Sequence, residues 1–135
     1  MSLTTWKKEF YPESADKAAR RGVGEAIEHS LRKWRGATQE NAERHGVSVC
    51  RNLPGIRGKY SSLVFDLSTC ALCSLFYDVG CKGCPLVTKR SGKRCYSPGR
   101  GFSNFADMDL GPDLMIHELE EALEKWREEN EQPKL

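Results

Sequence analysis

The sequence predicts an α+β domain: amphipathic helices near both ends, packed on a short antiparallel sheet and on a cysteine-rich loop region stabilised by zinc. Three observations predict it. Apolar residues recur at helical spacing over 25–35 and again over 112–130, they alternate over 62–68, and five of the six cysteines fall between residues 70 and 95. Spacings of 3.6 and 2 separate the two kinds of element.

The first helix to emerge runs from Glu25 to Arg35. Ile27, Leu31 and Trp34 stand at i, i+4 and i+7 on one stripe, and Gly36 ends it. Thr38 is placed to cap a second short helix that reaches Arg44, with Gly46 after it. Residues 13–21 suit a turn or two of helix, while Gly22 and Gly24 interrupt any continuation. Val47–Cys50 is a strand candidate. Asn52–Gly58, with Pro54, Gly55 and Gly58, should turn, and Ser62–Ser68 reads as a strand with Leu63, Phe65 and Leu67 on one face. From Cys70 to Gly101 regular structure should be scarce. The last helix is expected from Pro112 to Asn130, with Pro112 suited to the first helical position and Asp113 to the positive end of the dipole. Met115, Leu119, Ala122 and Trp126 form its apolar stripe, and Glu118, Glu120, Glu121, Glu124 and Glu128 its acidic outer face. Trp34 and Trp126 are expected to pack over the sheet.

A chain of 135 residues fits a single domain. Its three segments differ in charge. Residues 1–46 carry 9 basic and 7 acidic side chains, residues 47–101 carry 9 and 2, and residues 102–135 carry 3 and 10. A helical segment is thus followed by a basic β and loop segment and an acidic helix. No apolar run approaches the roughly 18 residues that span a bilayer, and the N-terminus lacks the apolar core of a secretory signal. The expectation is a cytoplasmic protein without membrane contact, in a compartment that keeps thiols reduced.

Cys70-Ala-Leu-Cys73 and Cys81-Lys-Gly-Cys84 are two C-x2-C pairs separated by seven residues, and Cys95 follows after ten more. Each such turn lets two thiolates reach one ion at about 2.3 Å, and two turns complete the tetrahedron of structural zinc. The expected ligands are therefore Cys70, Cys73, Cys81 and Cys84, with Cys95 as the alternative to one member of the second pair. Cys50 reads as a small buried hydrophobe. An iron–sulfur cluster also takes four thiolates, but the compact ferredoxin run is absent. A redox C-x2-C belongs at a helix start in a βαβ frame, which the pattern lacks. Disulfides would require export.

No catalytic constellation accompanies the cysteines. His29 and His117 lie away from the apolar stripes of their helices and read as solvated. His45 precedes a helix-ending glycine, where it complements the dipole. Gly99-Arg100-Gly101 is a turn rather than a phosphate loop. The basic residues Arg51, Arg57, Lys59, Lys82, Lys89, Arg90, Lys93, Arg94 and Arg100 alternate with Tyr60, Tyr77, Tyr96 and Phe102. That mixture suits single-stranded nucleic acid, chiefly through Lys89, Arg90, Lys93, Arg94 and Arg100. It equally suits compensation of a tetrathiolate site or of the acidic last helix.

The stretches TTWKKEFYP (Thr4 to Pro12), EHSLRKWRG (Glu28 to Gly36) and CALC with CKGCPL (Cys70 to Leu86) resemble uncharacterised small cysteine-rich proteins of tailed phages and prophages. Cys95, set in GKRCYSPG, is similar to the downstream cysteine of those proteins. The resemblance implies a phage or prophage origin, action in the host cytoplasm and a metal site at Cys70, Cys73, Cys81 and Cys84. It implies no catalysis. Together these readings point to a zinc-binding, zinc-finger-like accessory protein that binds a host or phage protein as an adaptor or inhibitor, with nucleic-acid binding through the basic segment as the alternative.

Overall fold

The computed structural model describes residues 2–50, 53–81, 83–87, 100–107 and 111–130. The chain is α+β, as the pattern predicts. Seven helices and a three-stranded antiparallel sheet are present among the described residues.

The N-terminal segment is helical from its beginning. Helix α1 (Leu3–Phe10) starts with a capping box in which the Ser2 hydroxyl accepts from the Thr5 amide and the Thr5 hydroxyl accepts from the Ser2 amide. Its buried face is Leu3, Trp6 and Phe10. Helix α2 (Ala15–Arg20) is capped by Ser14 and buries Ala15, Ala18 and Ala19. Gly22, at φ 115°, then breaks the chain before α3 (Val23–Arg35). Gly24 does not interrupt that helix, contrary to the expectation. It lies buried in the first turn of α3, where a Cβ would sit 2.6 Å from the Trp126 ring, so glycine there serves a close approach rather than a break. Helix α4 (Gln39–Arg44) has Thr38 as its cap, as its sequence indicates.

Strands β1 (Ser48–Cys50), β2 (Gly55–Arg57) and β3 (Ser62–Val64) pair in that order, with Val49, Ile56 and Leu63 in one cross-strand row. Two expectations are corrected here. The segment read as a turn contains β2, three residues too short to show an alternation. The strand read to Ser68 ends at Val64, because local side-chain bonds outcompete the ladder. The Asp66 carboxylate accepts from the Ser68 amide at 2.9 Å, and the Thr69 hydroxyl reaches back to the Val64 carbonyl at 2.9 Å. A 3-10 turn over Leu67–Thr69 results.

Beyond it the described residues are more regular than the glycines and prolines suggest, while residues 88–99 lie outside the described residues. Helix α5 (Ala71–Phe76), which includes Cys73, and a 3-10 turn (Tyr77–Val79) lead from the first cysteine pair towards the second. Helix α6 (Gly101–Asp107) leads to α7 (Asp113–Asn130), which begins one residue after Pro112.

Helix α3 is the axis of the molecule and packs against α1, α2, α5 and α7. Trp34 is the centre of an aromatic cluster, with ring centroids 5.0 Å from Phe65, 4.9 Å from Phe105 and 6.0 Å from Phe102. Edge-on contacts of this kind add to the stabilisation from burial. Trp6 continues the cluster through Phe10 and Phe65, and its indole N–H donates to the Gly36 carbonyl at 2.9 Å. Trp34 thus packs beside the sheet, against Phe65, the residue that follows β3. Trp126 does not, since it lies on α3 at Gly24. Met115, Leu119, Ala122 and Leu123 bury the inner face of α7, and exposed pairs Arg35–Glu120 and Arg127–Glu28 flank its contact with α3. No helix among the described residues is long and apolar enough to cross a membrane.

Candidate metal centre

The fold gives the two cysteine pairs different settings. Cys70 is the N-cap of α5, with extended backbone at φ −108° and ψ 112°, and Cys73 is the third residue of that helix. Side chains at the N-cap and third position face each other across a helix start. The C-x2-C spacing therefore converges the two sulfurs, and the Cys73 thiol hydrogen-bonds that of Cys70. This bond holds Cys70 well below the ordinary thiol range despite its burial. The nearby charge of Lys33, the Cys73 amide and the Ser30 hydroxyl act in the same direction.

The second pair follows a sharp reversal. Gly80 and Gly83 take positive φ, and so does Cys81 at 64°, the one non-glycine to do so among the described residues. The Cys81 amide donates to the Phe76 carbonyl at 2.8 Å, and the Cys84 amide donates to the Cys81 carbonyl at 3.0 Å. The Leu86 and Val87 amides lie against the Cys84 sulfur. Turns with amides directed at a sulfur hold thiolates for metals. Burial first, with the charges of Cys70 and Cys81 after it, nonetheless pushes the Cys84 thiol up to about 11. The two pairs are thus electrostatic neighbours, and Leu72, Leu86 and Cys84 join one apolar cluster. Among the described residues, however, no three or more His, Cys, Asp or Glu side chains gather closely enough to hold an ion.

The other candidate residues fall differently. Cys95, Lys89, Arg90, Lys93 and Arg94 lie outside the described residues, as do Arg51, Lys82 and Tyr96. Cys50 is half-buried on β1, more open than a core residue. Arg100 is bound inside the molecule. Its guanidinium donates to the Glu118 carboxylate at 2.8 Å and to the Leu86 carbonyl at 2.6 Å. Glu118 accepts from the Gly101 amide as well, so it belongs to the α6–α7 joint and not to the acidic outer face.

The histidines divide. His117 is exposed beside Glu121, as expected. His45 is buried, with its ring nitrogens bonded to the Thr5 hydroxyl and the Glu9 carboxylate, so side chains of α1 rather than a helix dipole hold it. His29 is also buried, contrary to its reading as solvated, because the turn before α2 covers that side of α3. Its Nε2 donates to the Glu13 carbonyl at 2.8 Å and Tyr11 packs edge-on against the ring. Its Nδ1 is buried with no hydrogen-bond partner among the described residues.

The residues that sequence reasoning missed are on α3. Ser30 Oγ lies 3.9 Å from Cys70 Sγ, and one turn later the Lys33 ammonium donates to the Thr69 carbonyl at 2.9 Å. The available signal was the pair of small residues Ala26 and Ser30, one turn apart on α3. Small side chains on a helix face mark a neighbour packed close, here α5.

Compared with family models, curated proteins and solved structures, the chain gives no match.

Proposed function

We propose that this chain is a small zinc-binding accessory protein of a tailed phage or prophage, acting as an adaptor or inhibitor through contact with a host or phage protein. Zinc is held by Cys70, Cys73, Cys81 and Cys84, with Cys95 able to replace one of the second pair. Four thiolates fill the tetrahedron and leave no position for water, so the metal is structural. The observation that supports the reading best is the surface between the two pairs. Leu75, Tyr77 and Val79 stand exposed on a segment of seven residues with a cysteine pair at each end. Grouped exposed apolar side chains mark interaction sites. Metal at both ends would fix this segment before a partner arrives and reduce the ordering cost of binding.

Elemental analysis of purified protein is expected to find one zinc per chain, lost together with thermal stability in Cys73→Ala, because metal affinity is folding energy in such sites. Capture of a host or phage protein is expected to survive rising salt and to be lost in the double variant Tyr77→Ser, Val79→Ser. Metal-free wild-type protein, or capture unaffected by the double variant, overturns the reading. Binding that collapses with salt and follows Lys89, Arg90, Lys93 and Arg94 would instead assign the function to nucleic acid.

A further inference from the structure

The first cysteine pair is built as a unit. Its two sulfurs share a hydrogen bond, and the frame that carries them belongs to the core. Ala71 and Leu72, the residues between the cysteines, are 0% and 1% exposed, and α5 packs against both α2 and α3. Directly after the pair, the Ser74 hydroxyl donates to the Asp16 carboxylate of α2 at 2.9 Å. From the other side, Ser30 Oγ of α3 lies 3.9 Å from the Cys70 sulfur. These neighbours fix the spacing of the two sulfurs before any reaction. Residues three apart at a helix start also fall within the Cα separation that a disulfide accepts, about 4.4–6.8 Å.

The two cysteines differ in access. Cys70 is buried and Cys73 is partly exposed. Leu75 and Tyr77, two and four residues beyond Cys73, stand exposed and offer an apolar approach to it. A reachable thiol backed by a buried one in contact with it is what thiol–disulfide exchange requires. We propose that Cys70 and Cys73 are a redox-active dithiol that reduces disulfide bonds, with Cys73 as the attacking and Cys70 as the resolving thiol. The substrate class is a disulfide, R–S–S–R′, of a small thiol or of a polypeptide. The Cys73 thiolate attacks one substrate sulfur, the S–S bond breaks, and R′–S⁻ leaves and takes up the proton that Cys73 released. The Cys70 thiolate then attacks the Cys73 sulfur of the mixed disulfide, and R–S⁻ leaves and takes up the proton from Cys70. Two electrons pass from the pair to the substrate, and a Cys70–Cys73 disulfide remains. The proposal uses these two side chains alone, so it goes beyond the metal reading and does not rest on it.

The test exposes the reduced full-length chain, with a chelator present, to oxidised glutathione and separately to insulin, whose interchain disulfides serve as the polypeptide probe. Peptide mapping by mass spectrometry is expected to find a Cys70–Cys73 disulfide, with two substrate thiols released for each one formed. Reaction with glutathione alone identifies small disulfides as the substrate, reaction with insulin alone identifies polypeptide ones, and reaction with both shows a site open to either. Cys70→Ser is expected to stop halfway and accumulate a mixed disulfide at Cys73. Cys73→Ser should lose the reaction, with no mixed disulfide at the buried Cys70, and Cys50→Ser should react as wild type does. Circular dichroism checks that the variants fold, and the wild-type map decides by itself where one does not. Wild type whose Cys70 and Cys73 stay reduced, or stop at mixed disulfides, with both probes overturns the proposal. So does a mixed disulfide that builds up at Cys70 in Cys73→Ser and not at Cys73 in Cys70→Ser.

Discussion

Single side chains in the interior of this molecule are held in chosen protonation states by their neighbours. His29 is the clearest. Burial first, and the charge of Lys33 second, lower it from 6.5 to about 4. Its Nε2 proton is committed to the Glu13 carbonyl, so a second proton would have to enter at the buried Nδ1. Between pH 6.5 and 4 the unfolded chain binds that proton and the folded chain does not. Stability from this residue is therefore complete above pH 6.5 and declines as pH falls towards 4, by as much as about 3 kcal/mol. Urea midpoints measured across this range should fall with pH in the wild type and stay flatter in His29→Phe. That variant keeps the ring against Tyr11 and loses about 1 kcal/mol at neutral pH with the bond to Glu13.

At the scale of elements, the joint between α3 and α7 depends on how closely the Trp126 ring approaches Gly24. Alanine is the better helix former by about 1 kcal/mol. Its methyl group would nonetheless meet the ring, and overpacking costs about 1–3 kcal/mol. Gly24→Ala is thus expected to lower the unfolding midpoint, a sign opposite to the propensity effect, and thermal denaturation decides between them. The same glycine shows where sequence reasoning reaches its limit. Periodicity and caps located α3, α4 and α7 because Ile27, Leu31, Trp34, Thr38 and Met115 act through local rules. A glycine dictated by a tryptophan a hundred residues away obeys none of them. Strand β2 was hidden by its length, and β3 was overextended because the Asp66 and Thr69 side-chain bonds end it. Helix α5 was missed because two cysteine pairs suggested loop, although Cys70 at its N-cap makes the C-x2-C spacing and the helix start the same feature. Of the candidate centre, the pairs were legible from spacing alone. The contributions of Ser30 and Lys33 were not, since they arise from tertiary packing of α3 on α5.

Across the whole molecule, Arg100 joins three described parts of the chain. Its bonds to Leu86 and Glu118 link the end of the cysteine region, the start of α6 and the first turns of α7. Both partners of the ion pair are largely buried, with 14% and 12% of their side chains exposed. Removing one member of such a pair costs far more than removing both. Glu118→Gln is expected to destabilise by about 3 kcal/mol, and the double variant Arg100→Met, Glu118→Leu to recover part of the loss. Chemical denaturation of the two variants reads the difference directly.

The central position of α3 also sets the order in which the chain can acquire its structure during synthesis. Residues 23–35 leave the ribosome well before residues 113–130, which form the helix packed on one flank of α3. At about 5–20 residues per second, that flank stays open for several seconds. A nascent chain of this protein therefore leaves that flank of α3 in water until α7 has emerged.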